Sequence, residues 1–276
     1  MAESNPSEFL NVRGHRLEYR RIAAAAGPSL VFLHEGLGSI SLWRDFPDRI
    51  AAQTGLPAIV YARYGHGQSD VLQPPHGVDF MHREALESLP ELLRQLEIER
   101  PILIGHSDGA SIALIYAGSG HSLRGLVAIA PHVFVEDISV ESIVAAKQAF
   151  ETTDLPRKLA RHHRDAHKTF YGWNDVWLAP AFRSWNIEAF LPAIKCPLLA
   201  LQGLGDEYGT MAQVDAIARQ AGGPVEVLKL RDCGHSPQKD QPKIVAKAIV
   251  EFVKRCSGAG RGEGAWAQRK SSRRTK

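Results

Sequence analysis

Cysteine is scarce, with Cys196, Cys233 and Cys256 the three thiols among 276 residues and no C-x-x-C spacing between them. An odd, widely spaced set excludes a disulfide framework and a zinc ribbon, so these are read as core or incidental thiols. No apolar run approaches the roughly 18 residues of a membrane span, and Met1 to Pro6 lacks the charged and then apolar stretch of a secretory leader. The expected location is therefore cytoplasmic, with no membrane partner. Excess charge of one sign is also missing from most of the chain. The formal net charge is +3, but residues 257–276 hold Arg261, Arg269, Lys270, Arg273, Arg274 and Lys276 against Glu263, which leaves the remainder close to neutral. That stretch is rich in Gly, Ser and Arg and has Trp266 as its one aromatic, so a solvated disordered tail is expected and a nucleic-acid partner is not.

What is present is a globular composition, 44% hydrophobic and 23% charged. Short apolar runs bounded by turn residues recur at Leu30 to His34, Pro57 to Ala62, Pro101 to His106, Gly125 to Ala130, Pro197 to Gly203 and Pro224 to Leu230. Runs such as Leu-Val-Phe-Leu and Ile-Leu-Ile are apolar on both faces, as strands of a sheet covered on both sides must be. Helical patterns fall at Phe80 to Leu96, where Pro90 predicts a bend, and at Ala110 to Tyr116, Met211 to Gln220 and Pro242 to Arg255. Phe9 to Val12 and Arg16 to Ile22 flank Arg13-Gly14 as a hairpin. The fold class is α/β, a mostly parallel central sheet flanked by helices. Residues 133–192 break the rhythm and predict a helical insertion, so the expected units are a core of 1–132 and 193–256, the insertion, and the tail 257–276.

The run Pro101 to His106 leads into Gly105-His106-Ser107-Asp108-Gly109, a G-x-S-x-G pattern between a strand and a helix. A serine on so sharp a turn needs small neighbours and lifts its hydroxyl clear of the sheet. The hydroxyl becomes a useful nucleophile only when a histidine takes its proton and an acid fixes that histidine. Downstream, one strand ends in Gly203-Leu204-Gly205-Asp206-Glu207 and another is followed by Asp232-Cys233-Gly234-His235. Candidates at the carboxyl ends of strands in an open α/β sheet can converge although far apart in sequence. Glu207 is the alternative acid; Asp232 is too close to His235 to orient it.

With these motifs, and with His34-Glu35-Gly36-Leu37-Gly38 and Arg63-Tyr64-Gly65-His66-Gly67-Gln68-Ser69-Asp70 after earlier strands, the chain over about residues 8 to 256 resembles the α/β-hydrolase superfamily, in the capped esterase and C–C hydrolase neighbourhood. The resemblance implies the α/β-hydrolase fold with a helical cap at 133–192, Ser107 as nucleophile, Asp206 as acid and His235 as base, with no cofactor. It places the oxyanion donors at the backbone N–H of Asp108 and in the loop after His34, at Gly36 or a neighbour. Members usually have His-Gly there, so Glu35 is a departure; a carboxylate beside developing negative charge predicts a cationic partner such as Arg63.

Other groups have blander readings. His34 and His66 are expected to support loops, and His106 to pack. His163 and His167 are spaced for one helical face, but H-R-D-A-H lacks the glutamate of a zinc peptidase, so a solvated helix is expected and no metal. Trp173, Trp177, Phe182 and Trp185 read equally as the insertion's own core or as pocket lining, and Glu35, Leu37, Trp173, Trp177 and Trp185 are the candidate pocket residues. The resemblance implies hydrolysis of a small-molecule carboxylic ester with apolar or aromatic groups, by a monomer or homodimer. The alternatives are a C–C hydrolase of dienoates, whose carboxylate would call for Arg183 or Arg63, and a protein of this fold that binds a ligand without turnover.

Overall fold

The computed structural model describes residues 7–24, 26–73 and 76–258. The expected basic tail lies, from residue 259 onward, outside the described residues.

The hairpin forms where Arg13 and Gly14 supply two successive positive φ angles, 52° and 82°, between β1 (Glu8–Val12) and β2 (His15–Ile22). Every apolar run expected as a strand is one: β3 (Leu30–Leu33), β4 (Ala58–Tyr61), β5 (Ile102–His106), β6 (Gly125–Ile129), β7 (Leu198–Gly203) and β8 (Val225–Leu230). They join in one eight-stranded sheet of order β1-β2-β4-β3-β5-β6-β7-β8, antiparallel at β1, β2 and β4 and parallel from β4 onward. β3 through β7 are buried along their whole length, whereas edge strand β8 alternates partly buried and exposed positions.

Both faces are covered. Leu30, Phe32, Val60, Ile104 and Ile129 pack with Ile50, Ile249 and Phe252 of α1 (Phe46–Thr54) and α10 (Pro242–Cys256). The alternate residues Val31, Leu33, Ile59 and Leu103 face α2 (Phe80–Arg83), α3 (Leu89–Gln95), α4 (Asp108–Gly118) and α8 (Ala212–Gln220). Between α2 and α3 the helix widens to a π turn at Glu84–Ser88. Pro90 accounts for it, because its ring collides with the carbonyl four residues back and it has no N–H to close the regular ladder. Helix α1 was not anticipated, although Pro47 starts it and Gly55, left-handed at φ 72°, ends it.

Residues 133–192 carry no strand beyond a single antiparallel bridge between Phe134 and Asn186. They form α5 (Asp137–Thr152), α6 (Leu155–Leu159), α7 (Ala166–Leu178) and two 3-10 turns, Pro180–Ser184 and Glu188–Ala193. Asp165 caps α7 by accepting from the Lys168 N–H at 2.9 Å. Phe170 of α7 stacks on Phe150 of α5 with ring centroids 3.9 Å apart. Among the described residues no helix is long and apolar enough to cross a membrane.

Strand order reverses between β3 and β5, so the chain departs in opposite directions from two adjacent strand ends and leaves a crevice there. The loops entering that crevice start at His34 and Ser107. Their approach is tight: a Cβ on Gly109 would stand 2.2 Å from the Leu33 carbonyl oxygen, and one on Gly105 would stand 2.4 Å from that of Gly109. Both obstacles are backbone, so no side chain can swing away. Gly109→Ala is expected to destabilise the protein by at least about 1 to 3 kcal/mol, the usual cost of overpacking, which urea denaturation measures.

Candidate active site

Ser107 sits at φ 53° and ψ −121°, a conformation costly for a residue with a side chain, of order 1 to 3 kcal/mol. The turn is held by the Ser107 N–H donating to the Ile129 carbonyl at 2.9 Å, and by Ala110 and Ser111 donating back to the Ser107 carbonyl. The result raises the hydroxyl above the end of β5, at the start of α4.

The structure brings Ser107, His235 and Asp206 into one hydrogen-bonded row. His235 Nε2 lies 2.9 Å from Ser107 Oγ, and His235 Nδ1 lies 2.8 Å from Asp206 Oδ1. Asp206 is fixed in turn by the Tyr208 N–H at 2.9 Å and by Gln202 Nε2 at 3.2 Å. Burial pushes its carboxyl upward, but the hydrogen bond and charge of His235 and the Tyr208 N–H outweigh that, so its pKa falls below the ordinary value. With the acid ionised, Nδ1 is the protonated nitrogen and Nε2 is free to accept from serine. Glu207 has a different job: its Oε2 accepts the His235 backbone N–H at 3.1 Å. Gly203 lets the histidine loop close on β7, since a Cβ there would stand 2.1 Å from the Cys233 oxygen.

Four consecutive carbonyls after β3 are each held from behind. Arg63 donates from one guanidinium nitrogen to the His34 oxygen at 2.5 Å and from the other to the Glu35 oxygen at 3.0 Å. The Gly36 oxygen accepts from His66 Nε2 at 2.9 Å, and the Leu37 oxygen from His163 Nε2 at 3.1 Å. Burial first, and then the Arg63 charge, keep the His34 pKa well below its ordinary value, so its Nε2 stays an acceptor for the Arg63 N–H. His34 and His66 thus support the loop, as expected. Among the described residues, the backbone N–H groups of Gly36 and Leu37 have no protein partner, and neither has that of Asp108 at the first turn of α4.

Two expectations need correction here. Glu35 does not pair with Arg63, whose fork is spent on carbonyls; its carboxylate lies 3.4 Å from His106 Nδ1 and 3.5 Å from Lys239 Nζ. Burial alone would raise the Glu35 pKa, but the His106 hydrogen bond and charge, with Lys239, bring it well below the ordinary value. His163 is not on a solvated helix with His167. It precedes α7, is buried, and accepts the Gly67 N–H at 3.1 Å. Among the described residues no three His, Cys, Asp or Glu side chains are grouped to hold a metal ion.

A cavity of about 270 Å³ opens beside Ser107, lined by Glu35, Gly36, Leu37, Trp173 and Trp177 among others. Trp173 closes directly on Gly36, where a Cβ would stand 2.1 Å from its indole nitrogen. Trp185 is not part of the lining; it stacks on Phe182, 5.4 Å between centroids, inside the insertion. The two readings of the aromatic cluster therefore divide by residue, Trp173 and Trp177 serving the cavity and Trp185 the local core. Sequence reasoning missed His132, Ile143, Tyr208 and Ser236 as lining. It also missed the work of His106, which donates from Nε2 to the His235 carbonyl at 2.8 Å and whose Nδ1 lies 3.1 Å from the Gln238 side-chain amide of α9 (Pro237–Asp240) and 3.4 Å from Glu35. No local pattern marks these contacts, because each partner lies far off along the chain.

A family model described as the alpha/beta hydrolase family matches residues 30–248. Among curated proteins, the chain is 24% identical to an esterase of Mycobacterium tuberculosis over 90% of this chain and 92% of that protein. It is 23% identical to a proline iminopeptidase of Levilactobacillus brevis over 72% and 80% respectively. Among solved structures, an enol-lactonase from Burkholderia xenovorans superposes with a TM-score of 0.71 at 20% identity, covering 90% of this chain and all of that one. A proline iminopeptidase from Mycobacterium smegmatis gives 0.72 at 16%, covering 92% and 99%.

The ion pairs of Glu35 carry a pH signature. A carboxylate whose folded pKa is depressed contributes stability above its unfolded value, near 4.3, and loses it as pH falls toward the folded value. Glu35→Gln is therefore expected to be less stable than the parent by about 1 to 3 kcal/mol at pH 6 to 8, the range for hydrogen bonds to charged groups. The gap should close below pH 4. Urea melts across that range measure it.

Proposed function

Because this chain belongs to the α/β hydrolase family, we propose that it is a serine hydrolase that cleaves small carboxylic esters through an acyl-enzyme. The observation that carries this reading is the row from Ser107 Oγ through His235 to Asp206, with contacts of 2.9 and 2.8 Å, on a turn that exposes the hydroxyl to a cavity. In the proposed reaction Ser107 attacks the ester carbonyl while His235 Nε2 takes its proton. His235 passes that proton to the departing alkoxide, and the acyl group stays on Ser107. Water then attacks the acyl-serine, with His235 as base, and frees the acid.

The oxyanion formed at each attack needs donors that are already in place. The N–H of Asp108 and that of Gly36, with Leu37 beside it, are assigned this role. Support comes from the four anchored carbonyls behind residues 34 to 37, which fix the peptide planes while those N–H groups stay unpaired. Residues 133–192 are assigned as a cap over the core of 1–132 and 193–256, with Trp173 and Trp177 limiting the size of the acyl group.

Cleavage of a dienoate would require a cation for its carboxylate. Among the described residues, no lysine or arginine lines the cavity. Arg63 is committed to the loop carbonyls, and Arg183 lies exposed beside Asp137 at 2.5 Å. The ester reading is therefore preferred, and one of the curated relatives is named an esterase.

Steady-state hydrolysis of p-nitrophenyl esters of two, four and eight carbons is the direct test. The protein should turn over the two shorter esters, and Ser107→Ala should lose about 10⁴-fold or more in kcat. Equal rates from the two proteins, or stoichiometric binding without turnover, would remove the proposal. Trp177→Ala should in addition shift preference toward the longest ester, because the side chain lines the cavity and its loss leaves room there.

A further inference from the structure

Among the residues lining the cavity, both carboxyl oxygens of Asp108 and Nδ1 of His132 are buried with no partner within 3.5 Å, and the Trp177 N–H, likewise without a close partner, is directed at the Asp108 carboxyl. Buried polar groups are almost always satisfied in folded proteins, so a cluster of exceptions around one cavity points to a ligand group that completes it. Asp108 is the decisive member. It follows Ser107 directly, is 1% exposed, and lies at the amino end of α4, where the helix favours negative charge.

The charges around it do not cancel it. Glu35 and Glu207 also line the cavity, but Glu35 is held by His106 and Lys239, and Glu207 by the His235 N–H. The Arg63 charge acts on Asp108, yet both its terminal nitrogens are engaged with carbonyls and no ion pair joins the two. Burial raises the Asp108 pKa to about 6; Arg63, His235 and the Trp177 N–H pull it down and Glu35 pushes it up. The ionised carboxyl has the Trp177 N–H beside it and, among the described residues, no cation paired with it. His132 also lines the cavity, as a neutral ring whose pKa is lowered to about 3 chiefly by burial and then by His235. With its proton on Nε2, its Nδ1 is a bare lone pair. Trp173, Trp177 and Tyr208 add aromatic faces, which attract cations.

An ionised carboxylate, a lone pair and aromatic faces, with no lysine or arginine in the lining, are complementary to an ammonium group. We propose that Asp108 and His132 form the seat for a protonated amine lying within a few atoms of the scissile carbonyl, so that the preferred substrate is a small aminoacyl ester. This rests on the serine hydrolase reading above and adds to it the class of acyl group.

Three methyl esters of one shape test the seat at pH 7: alanine methyl ester, methyl isobutyrate and the monomethyl ester of methylmalonic acid, which place an ammonium, a methyl or a carboxylate on the same carbon. With each kcat/KM divided by that ester's own hydroxide rate, the ammonium ester should exceed the methyl analogue at least tenfold and the carboxylate analogue at least a hundredfold. In Asp108→Asn, a neutral isostere whose folding is checked by thermal melting, the first ratio should fall to within threefold of unity. In the unaltered protein the same ratio should fall between pH 7 and pH 5, as Asp108 takes up its proton while the amine stays charged; this arm requires no variant. Turnover of methyl isobutyrate with no ammonium preference, or a preference that survives in Asp108→Asn, overturns the seat and leaves the hydrolase reading standing. If no ester is turned over, the hydrolase reading fails, and binding decides the seat. Tryptophan fluorescence titration of Ser107→Ala should then give a Kd for alanine methyl ester at least tenfold below that for methyl isobutyrate, a difference lost on adding Asp108→Asn. Equal Kd values would overturn it.

Discussion

The approach of three backbone segments at the end of β5 governs everything around Ser107. Gly105, Gly109 and the Leu33 carbonyl meet at distances that leave no room for a Cβ, so the turn carrying Ser107 cannot relax without separating β3, β5 and α4. The strained φ of 53° is thereby imposed by a part of the core where Leu33, Leu103 and Ile112 are fully buried. Rigid surroundings are what allow a strained residue to persist. The same closeness places the start of the 34–38 loop beside the serine, so the nucleophile and the proposed oxyanion donors are positioned by one contact.

That loop is an example of polar burial used for orientation. The carbonyls of His34, Glu35, Gly36 and Leu37 take their donors from Arg63, His66 and His163. These donors come from outside the loop, Arg63 and His66 from the segment after β4 and His163 from the turn before α7, while within the loop His34 Nδ1 and the Gly38 N–H add bonds to the Glu35 oxygen at 2.7 and 3.0 Å. The insertion therefore does more than cover the cavity. Through His163 it helps set the peptide planes at the site, and through Trp173 it closes on Gly36. A rearrangement of residues 155 to 177 would be felt at the loop's N–H groups.

How much of this was legible in the sequence depends on how local each cause is. The six strands β3 to β8 and the hairpin were readable because apolar runs and an Arg-Gly turn act within a few residues. Ser107, His235 and Asp206 were readable because motif and chain order carry them, and the structure places them in one row. Helix α1 was overlooked although Pro47 and Gly55 bracket it. The partner of Glu35 was misjudged, because nothing along the chain shows that Arg63 is already engaged by carbonyls. Gln238 and Lys239, the residues that reach Glu35 and His106, lie some 130 to 200 residues away, on a four-residue helix. His163 was misread for a related reason: its spacing to His167 fits a helix, but Asp165 caps α7 between them and leaves His163 outside it.

The distribution of acids around the serine follows from what each is near. Four carboxylates, those of Glu35, Asp108, Asp206 and Glu207, surround a centre where the proposed chemistry builds negative charge, an arrangement that would oppose reaction if all four acted on it freely. Three are answered inside the protein: Asp206 by His235, Gln202 and Tyr208, Glu35 by His106 and Lys239, and Glu207 by the His235 N–H. Asp108 has the Trp177 N–H beside it but, among the described residues, no cation paired with it. An ammonium seated there would cancel the Asp108 charge only when the right substrate is bound, so that binding and activation would share one electrostatic cause. A neutral acyl group of the same size would leave that charge facing the transition state, and the penalty would fall on kcat more than on KM.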